Sequence, residues 1–269
     1  LGLGYAVTFA DLLLAPVPPS ATARAGGTVY PVIRNIPELY GSQPNDPSAT
    51  KIGAYLLYTG LAASMVTSSM FITALAPNTL AIGIITKSLG ITIPWMLWFK
   101  GYLPVGVILL LIQPALLYWI YPPEIKQAPE APAWAAEELR KMGPMTRQEI
   151  TMLLLVLGAL GFWIGGTSFI DPAIASAFVI LGMVIFQVVS WEDIVSSSQA
   201  WNTFIWFATL VTLAGGLAET KFLDWLAQSL VPLLSGLAPF PTIVGVVLAF
   251  FALHYFFASI TAQIGRAHV

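Results

Sequence analysis

Residues 225–265 contain no Asp, Glu, Lys or Arg, and the same absence recurs along the chain. Other uncharged runs cover residues 52–86, 101–123, 150–170, 172–191 and 194–218. Each is longer than the roughly 18 apolar residues that mark a candidate transmembrane helix. Of the 269 residues, 57% are hydrophobic and 9% charged, whereas a soluble domain carries about a quarter charged residues. Such a chain lacks the polar surface to face water all round. Its class is an all-α polytopic membrane protein.

Composition also excludes some chemistry. The chain has no Cys, which removes disulfide frameworks, thiolate metal sites and cysteine catalysis. Its net charge of −2 lies mostly in loops, and no nucleic-acid partner is expected. The chain opens at Leu1, without Met and inside an apolar run. That opening reads as a fragment boundary, with earlier spans expected before it and further ones after residue 263. Residues 264–269 read as a non-native tail, so Arg266 and His268 carry no site.

The breaks in the apolar pattern organise the rest. Residues 15–27, "APVPPSATARAGG", place three prolines and two glycines where a membrane helix would continue. The flanking segments, 1–15 and 22–36, are each too short to span comfortably. Joined at the Pro-Ser-Ala-Thr tip they fit a re-entrant hairpin, 1–36, that enters and leaves on one side. Non-helical backbone at such depth is tolerated where protein buries it or a wet cavity bathes it. Residues 37–50 are a loop by their Pro, Gly, Asn, Asp and Ser density.

Residues 52–86 read as a helix broken at Pro77-Asn78. Residues 95–121 read as a span with Trp95, Trp98, Tyr118 and Tyr121 at its ends, the expected interfacial aromatics. The polar connection 122–149 holds a surface helix at 131–142, with Glu137, Glu138, Arg140 and Lys141 on its solvated face. Spans follow at 150–170 and 172–191, then a helix at 201–218 broken at Gly215-Gly216. An amphipathic stretch at 222–234 precedes another short apolar helix, 241–258. Arg34, Lys51, Lys126, Arg140, Lys141 and Arg147 fall on one side of this arrangement, and Lys87 and Lys221 on the other. The first side is expected to be cytoplasmic.

The two halves echo each other. "PSATA" at 19–23 and "ASITA" at 258–262 share Ser-x-Thr-Ala, each after a short apolar helix. Interruptions at corresponding positions of two halves are the best sequence pointer to the binding site of a secondary transporter. Any ionic solute needs such a site, because a bare charge in hydrocarbon costs several kcal/mol. Helix N-termini offer unsatisfied N–H groups and about half a positive charge, and Ser and Thr add hydroxyl donors.

The strings "TFADLLLAPVPPSATARAGGTVYPVIRNIPELYGSQPND", "TSSMFITALAPNTLA", "YWIYPPEIK" and "HYFFASITA" resemble the divalent-anion:sodium symporter family. They look like its branch of 2-oxoglutarate/malate, citrate and tartrate/succinate translocators. The resemblance covers essentially residues 1–263. It implies an inverted-repeat secondary transporter with broken helices, 1–121 and 150–263 being two partial repeats, and two re-entrant hairpins, the second with its first arm at 241–263, each tipped by a Ser-Asn-Thr signature that holds substrate carboxylates. Carried over, the substrate tips are Ser20, Ala21 and Thr22, and Ser259, Ile260 and Thr261, with Arg24 as an added charge. Sodium, the possible coupling ion, is implied at Ser20, Thr67, Ser68, Ser69, Pro77 and Asn78. Both tips depart from the signature at the middle position. Restoring Asn at Ala21 is expected to strengthen sodium-dependent uptake.

The expected activity is movement of di- or tricarboxylates such as 2-oxoglutarate, malate, succinate or citrate, by sodium symport or anion exchange. The expected setting is the lipid bilayer of a bacterial inner membrane, or alternatively the plastid envelope, and the resemblance implies a homodimer. Several residues keep a second reading. Ser20 and Thr22 also suit a helix cap, and Arg24 also suits a pair with Asp11 or an interfacial reach. Asn78 also suits a helix cap, and Thr67–Ser69 also suit small-residue helix packing. His254, among aromatics, reads as a packing histidine. The rival classes are an intramembrane enzyme and a passive anion channel. The first would need a carboxylate pair, a His–Glu cluster or a nucleophile with its base, and Asp11 has no partner of that kind in sequence.

Overall fold

The computed structural model describes residues 1–18, 20–165, 172–221 and 236–254, with Trp225, Gln228, Ser229 and Pro232 between them. The second tip at Ser259, Ile260 and Thr261, the 264–269 tail and most of 222–234 lie outside the described residues. The chain divides into two compact units, Leu1–Ile194 and Val195–Val269. Every described regular element is helical.

In the first unit, α1 (Gly2–Leu14) closes with the Ala15 N–H on the Asp11 carbonyl at 2.8 Å. Pro16 and Pro18 then prevent continuation, since proline has no N–H and restricts the residue before it. The chain restarts as α2 (Ala21–Arg24), which runs through a π-turn (Ala25–Val29) into α3 (Tyr30–Leu39). The π-turn has a local cause. Pro31 cannot donate to the Gly27 carbonyl, and its ring would clash there in an α-helix, so the preceding turn widens. Gly41, at φ +60°, ends α3: its N–H reaches the Glu38 carbonyl and the Ser42 N–H reaches that of Pro37, the paired closure that a left-handed glycine permits.

α4 (Gly53–Met70) leads through a short 3₁₀ turn (Ile72–Ala74) into α5 (Ala76–Leu89). The interruption expected at Pro77-Asn78 therefore lies earlier, around Phe71–Leu75. Pro77 sits in the first turn of α5, where its missing N–H costs nothing and its fixed φ suits a helix start. α6 (Trp95–Ile120) has 26 residues and a mean hydropathy of 2.1 over its apolar window, enough to cross about 30 Å of hydrocarbon. It carries Pro104 and Pro114 internally. Pro114 leaves the Leu110 carbonyl without its i+4 donor, and neighbouring carbonyls take hydrogen bonds from other helices: the Tyr5 hydroxyl donates to the Leu111 carbonyl at 2.7 Å and the Tyr55 hydroxyl to that of Pro114 at 3.3 Å.

The polar connection holds α7 (Glu130–Met142) and ends at Gly143, φ +74°. α8 (Arg147–Gly165) starts on a reciprocal cap, with the Thr146 N–H donating to Glu149 and the Glu149 N–H to Thr146 Oγ1. α9 (Pro172–Ile185) packs on α8 closely enough that a Cβ at Gly182 would stand 2.8 Å from Leu155 Cδ2. α10 (Trp191–Ser196) starts on a similar Ser190–Asp193 cap.

The second unit contains α11 (Ser198–Glu219) and α12 (Pro239–His254). α11 runs unbroken through Gly215 and Gly216, where a break was expected. Glycine in a helix interior costs about 1 kcal/mol, but opening the helix in lipid strands backbone groups at several kcal/mol each. The helix is the cheaper state.

The core that positions the first hairpin is the packing of α1, α3, α4 and α6. Small residues allow close approach. A Cβ at Gly4 would meet the Tyr55 hydroxyl at 2.1 Å, one at Gly60 the Ile33 Cδ1 at 2.8 Å, and one at Gly106 the Met70 Cγ at 2.9 Å. Phe71, at the break, stacks on Trp95 and Phe99 of α6 at 5.8 and 5.4 Å.

Candidate functional site

α1 presents Gly4, Thr8 and Asp11 on one buried face, because residues three and four apart align on a helix. α4 presents Ser64, Thr67 and Ser68 in the same way. Arg24, one turn beyond the Pro-rich break, enters between them. Asp11, Arg24 and Thr67 are completely buried, and Ser64 and Ser68 are 3% and 5% exposed.

Arg24 Nε donates to Asp11 Oδ1 at 2.9 Å. Its Nη2 lies within 2.9 Å of Thr67 Oγ1 and Ser68 Oγ, and 3.2 Å from both the Ser64 carbonyl and Ser64 Oγ. The Thr67 hydroxyl donates to Asp11 Oδ2 at 2.5 Å, and the Ser68 hydroxyl to the Ser64 carbonyl at 2.5 Å. One guanidinium thus ties both arms of the first hairpin to α4. Burying two ions costs several kcal/mol each and is offset only by close geometry with additional hydrogen bonds, which this cluster supplies. Among the described residues Arg24 Nη1 has no acceptor.

The tip itself is simpler. Ser20 is extended at φ −145°, and its hydroxyl accepts the Ala23 N–H at 3.2 Å, capping α2. Ala21 is the first residue of α2, and the Thr22 side chain is exposed. Of the residues implied for the cation, Thr67 and Ser68 converge on Arg24. The Ser69 hydroxyl turns to the Met65 carbonyl at 3.4 Å, and its own carbonyl accepts Trp98 Nε1 at 2.9 Å. Asn78 Nδ2 donates to the carbonyls of Ser68 and Phe71 at 2.8 and 3.0 Å, so its amide satisfies the frayed end of α4 across the break. Pro77 is exposed. Of the two readings of Arg24 as an ion-pair or interfacial residue, the structure has the pair with Asp11.

Sequence reasoning missed Ser64. Its signal was available, because Ser64, Thr67 and Ser68 share one face at i, i+3 and i+4. The Asp11–Arg24 pairing has no periodic signal, since a proline break separates the partners.

Residues 1–267 match the family described as sodium:sulfate symporter transmembrane region. The chain belongs to this family. As a member it is a multi-pass membrane protein of a transporter family, and the intramembrane-enzyme reading falls. The L-tartrate/succinate antiporters of Shigella sonnei (strain Ss046) and Escherichia coli (strain K12) are each 47% identical to it over 262 residues. That alignment covers 97% of this chain and 54% of each antiporter. The chain spans about half the length of the curated relatives it matches.

Proposed function

We propose that this chain forms the part of a bacterial inner-membrane dicarboxylate exchanger that carries its first substrate tip. The carrying observation is the Arg24 guanidinium seated among the oxygens of Ser64, Thr67 and Ser68. Of these, Thr67 and Ser68 are among the residues implied for a coupling cation. A sodium ion there would have to displace the guanidinium from both hydroxyls; charge alone does not exclude it, since the Asp11 carboxylate that Thr67 also bonds offsets the Arg24 charge. Thr67 and Ser68 therefore do not suit sodium while Arg24 holds its place. In this reading the cation is tethered to the hairpin, and one dicarboxylate is exchanged for another. The antiporter relatives support the same reading.

The substrate carboxylate is assigned to the free donors at the head of α2, namely Ser20, the backbone of Ala21 and Thr22, where the helix end favours negative charge. Arg24 acts behind the tip by holding α2 against α4. The echo at Ser259, Ile260 and Thr261 is assigned the second carboxylate. A succinate- or tartrate-sized C4 dianion is the proposed substrate class, and the proposed assembly is a homodimer, to be checked by the mass of the purified protein in detergent.

Sodium coupling is the second reading, favoured by the family's description. Its remaining implied ligands are Ser20, Ser69, Pro77 and Asn78. Counterflow in vesicles separates the two. Full-length protein is reconstituted with internal succinate, and labelled succinate, tartrate, malate or 2-oxoglutarate is supplied outside. Exchange predicts uptake that requires the internal dianion and is indifferent to replacing sodium by potassium. Uptake that requires a sodium gradient and no internal dianion would overturn exchange in favour of symport. No accumulation under either condition would overturn the transporter reading and leave a channel.

A further inference from the structure

α7 is held in place at one end and open at the other. The Ala131 N–H donates to the Tyr40 hydroxyl oxygen at 3.1 Å, Ala131 is buried, and Trp134 and Glu138 border a cleft shared with Asn35, Glu38 and Leu39 of α3. The linker before α7 is also pinned. The Glu124 N–H reaches the Thr50 carbonyl at 3.3 Å, the Ile125 N–H reaches that of Lys51 at 3.0 Å, and the Thr50 hydroxyl donates to Glu124. At about 100° per residue, Ala131, Ala135, Leu139 and Met142 share one arc of roughly 80°. α3 covers this arc at the first turn only. Leu139 and Met142 are 69% and 75% exposed, and Met145 just beyond is 55% exposed.

The surroundings identify what this edge meets. α6 delivers the chain to α7 through Trp119, Ile120 and Tyr121, all exposed, and α8 leaves through Arg147 and exposed Ile150. Both helices are long and apolar enough to cross a bilayer, so the two ends of the connection lie at one membrane surface. Between those two ends the large exposed apolar side chains are Leu139, Met142 and Met145. Charge does not drive the contact: Glu137 and Glu138 pair with Arg140 and Lys141, and residues 122–149 carry five acids and four bases, so the contact rests on the apolar edge.

We propose that Leu139, Met142 and Met145 form a membrane-contact surface that seats α7 at the boundary between headgroups and acyl chains. An apolar arc with charges such as Glu137 and Arg140 on the opposite face, and Glu138 at its border, fits helices of low overall hydrophobicity that lie in the interface. Because α7 also grips α3, this seat fixes the base of the first hairpin relative to the bilayer.

The absence of native cysteine makes the test clean. L139C, M142C and E137C are made in the full-length protein and labelled with an environment-sensitive fluorophore. Each is reconstituted in vesicles of phosphatidylcholine and phosphatidylglycerol. The proposal expects labels at 139 and 142 to be quenched by nitroxide-bearing lipid about threefold more than the label at 137, and aqueous iodide to show the reverse order. Equal iodide quenching at all three positions would overturn it. Labels at 139 and 142 reached by neither quencher would overturn it too, placing another protein segment or a second copy on this edge.

Discussion

The Asp11–Arg24 pair permits a quantitative test of the clamp between the hairpin and α4. Both side chains are 0% exposed and the charged atoms lie 2.9 Å apart. Removing one member leaves the other charge buried without its partner, a loss of about 3–5 kcal/mol. At roughly 2–4 °C per kcal/mol for a chain of this size, D11N or R24Q should each lower the midpoint of thermal unfolding by roughly 6–20 °C. D11N/R24Q removes both charges and leaves two amides able to bond each other, so it should recover at least half of the single-variant loss. The assay is intrinsic tryptophan fluorescence of the detergent-solubilised full-length protein, run at about 0.05 M and about 0.5 M salt. A dry pair keeps its coupling at high salt. Additive losses in the double variant, or coupling that vanishes with salt, would refute the buried clamp.

Other perturbations follow from single contacts. Gly4→Ala places a methyl 2.1 Å from the Tyr55 hydroxyl oxygen and should cost about 1–3 kcal/mol; Y55F in the same chain should return part of the lost thermal stability. Asn78→Ala removes the donors to the carbonyls of Ser68 and Phe71, costing about 1–3 kcal/mol and raising amide hydrogen exchange around residues 68–75. In the 40–51 loop, hydrogen bonds from Ser48 hold the Asp46 carboxyl below its ordinary pKa. Its folded value lies under its unfolded one, so its contribution is present at neutral pH and disappears as pH falls through the depressed value. Proteolysis of the loop should therefore accelerate at acid pH in the wild type, and D46N should flatten that dependence.

The helical, membrane-embedded class was legible because uncharged runs of such length have one physical solution, and Arg24 was legible as unusual because it lies among apolar residues. Asp11 is legible as one candidate partner, but no periodicity connects positions on two helices separated by a proline-rich break, so the sequence leaves the pair and an interfacial reach both open. The site of the break in residues 52–86 was misread for a related reason. Pro77 marks a disrupted helix in sequence, yet proline is equally at home in a first turn, and only the aromatic stack on α6 shows that the extended segment precedes it. Gly215-Gly216 misled in the opposite direction, since glycine breaks helices readily where water can replace the lost hydrogen bonds and poorly where lipid cannot.

The π-turn at Ala25–Val29 has a consequence for phase. Arg24 and Ile33 would stand about 180° apart on an unbroken α-helix at about 100° per residue. Yet Arg24 bonds Thr67 of α4 while Ile33 fills the space beside Gly60 on the same helix. The buried positions run Arg24, Val29, Ile33, Ile36, a spacing of five, four and three. One inserted residue therefore rotates the ionic segment into register with the greasy one. Deleting either Gly26 or Gly27 would pull them out of register, leaving the chain a choice between seating its charge and seating its core.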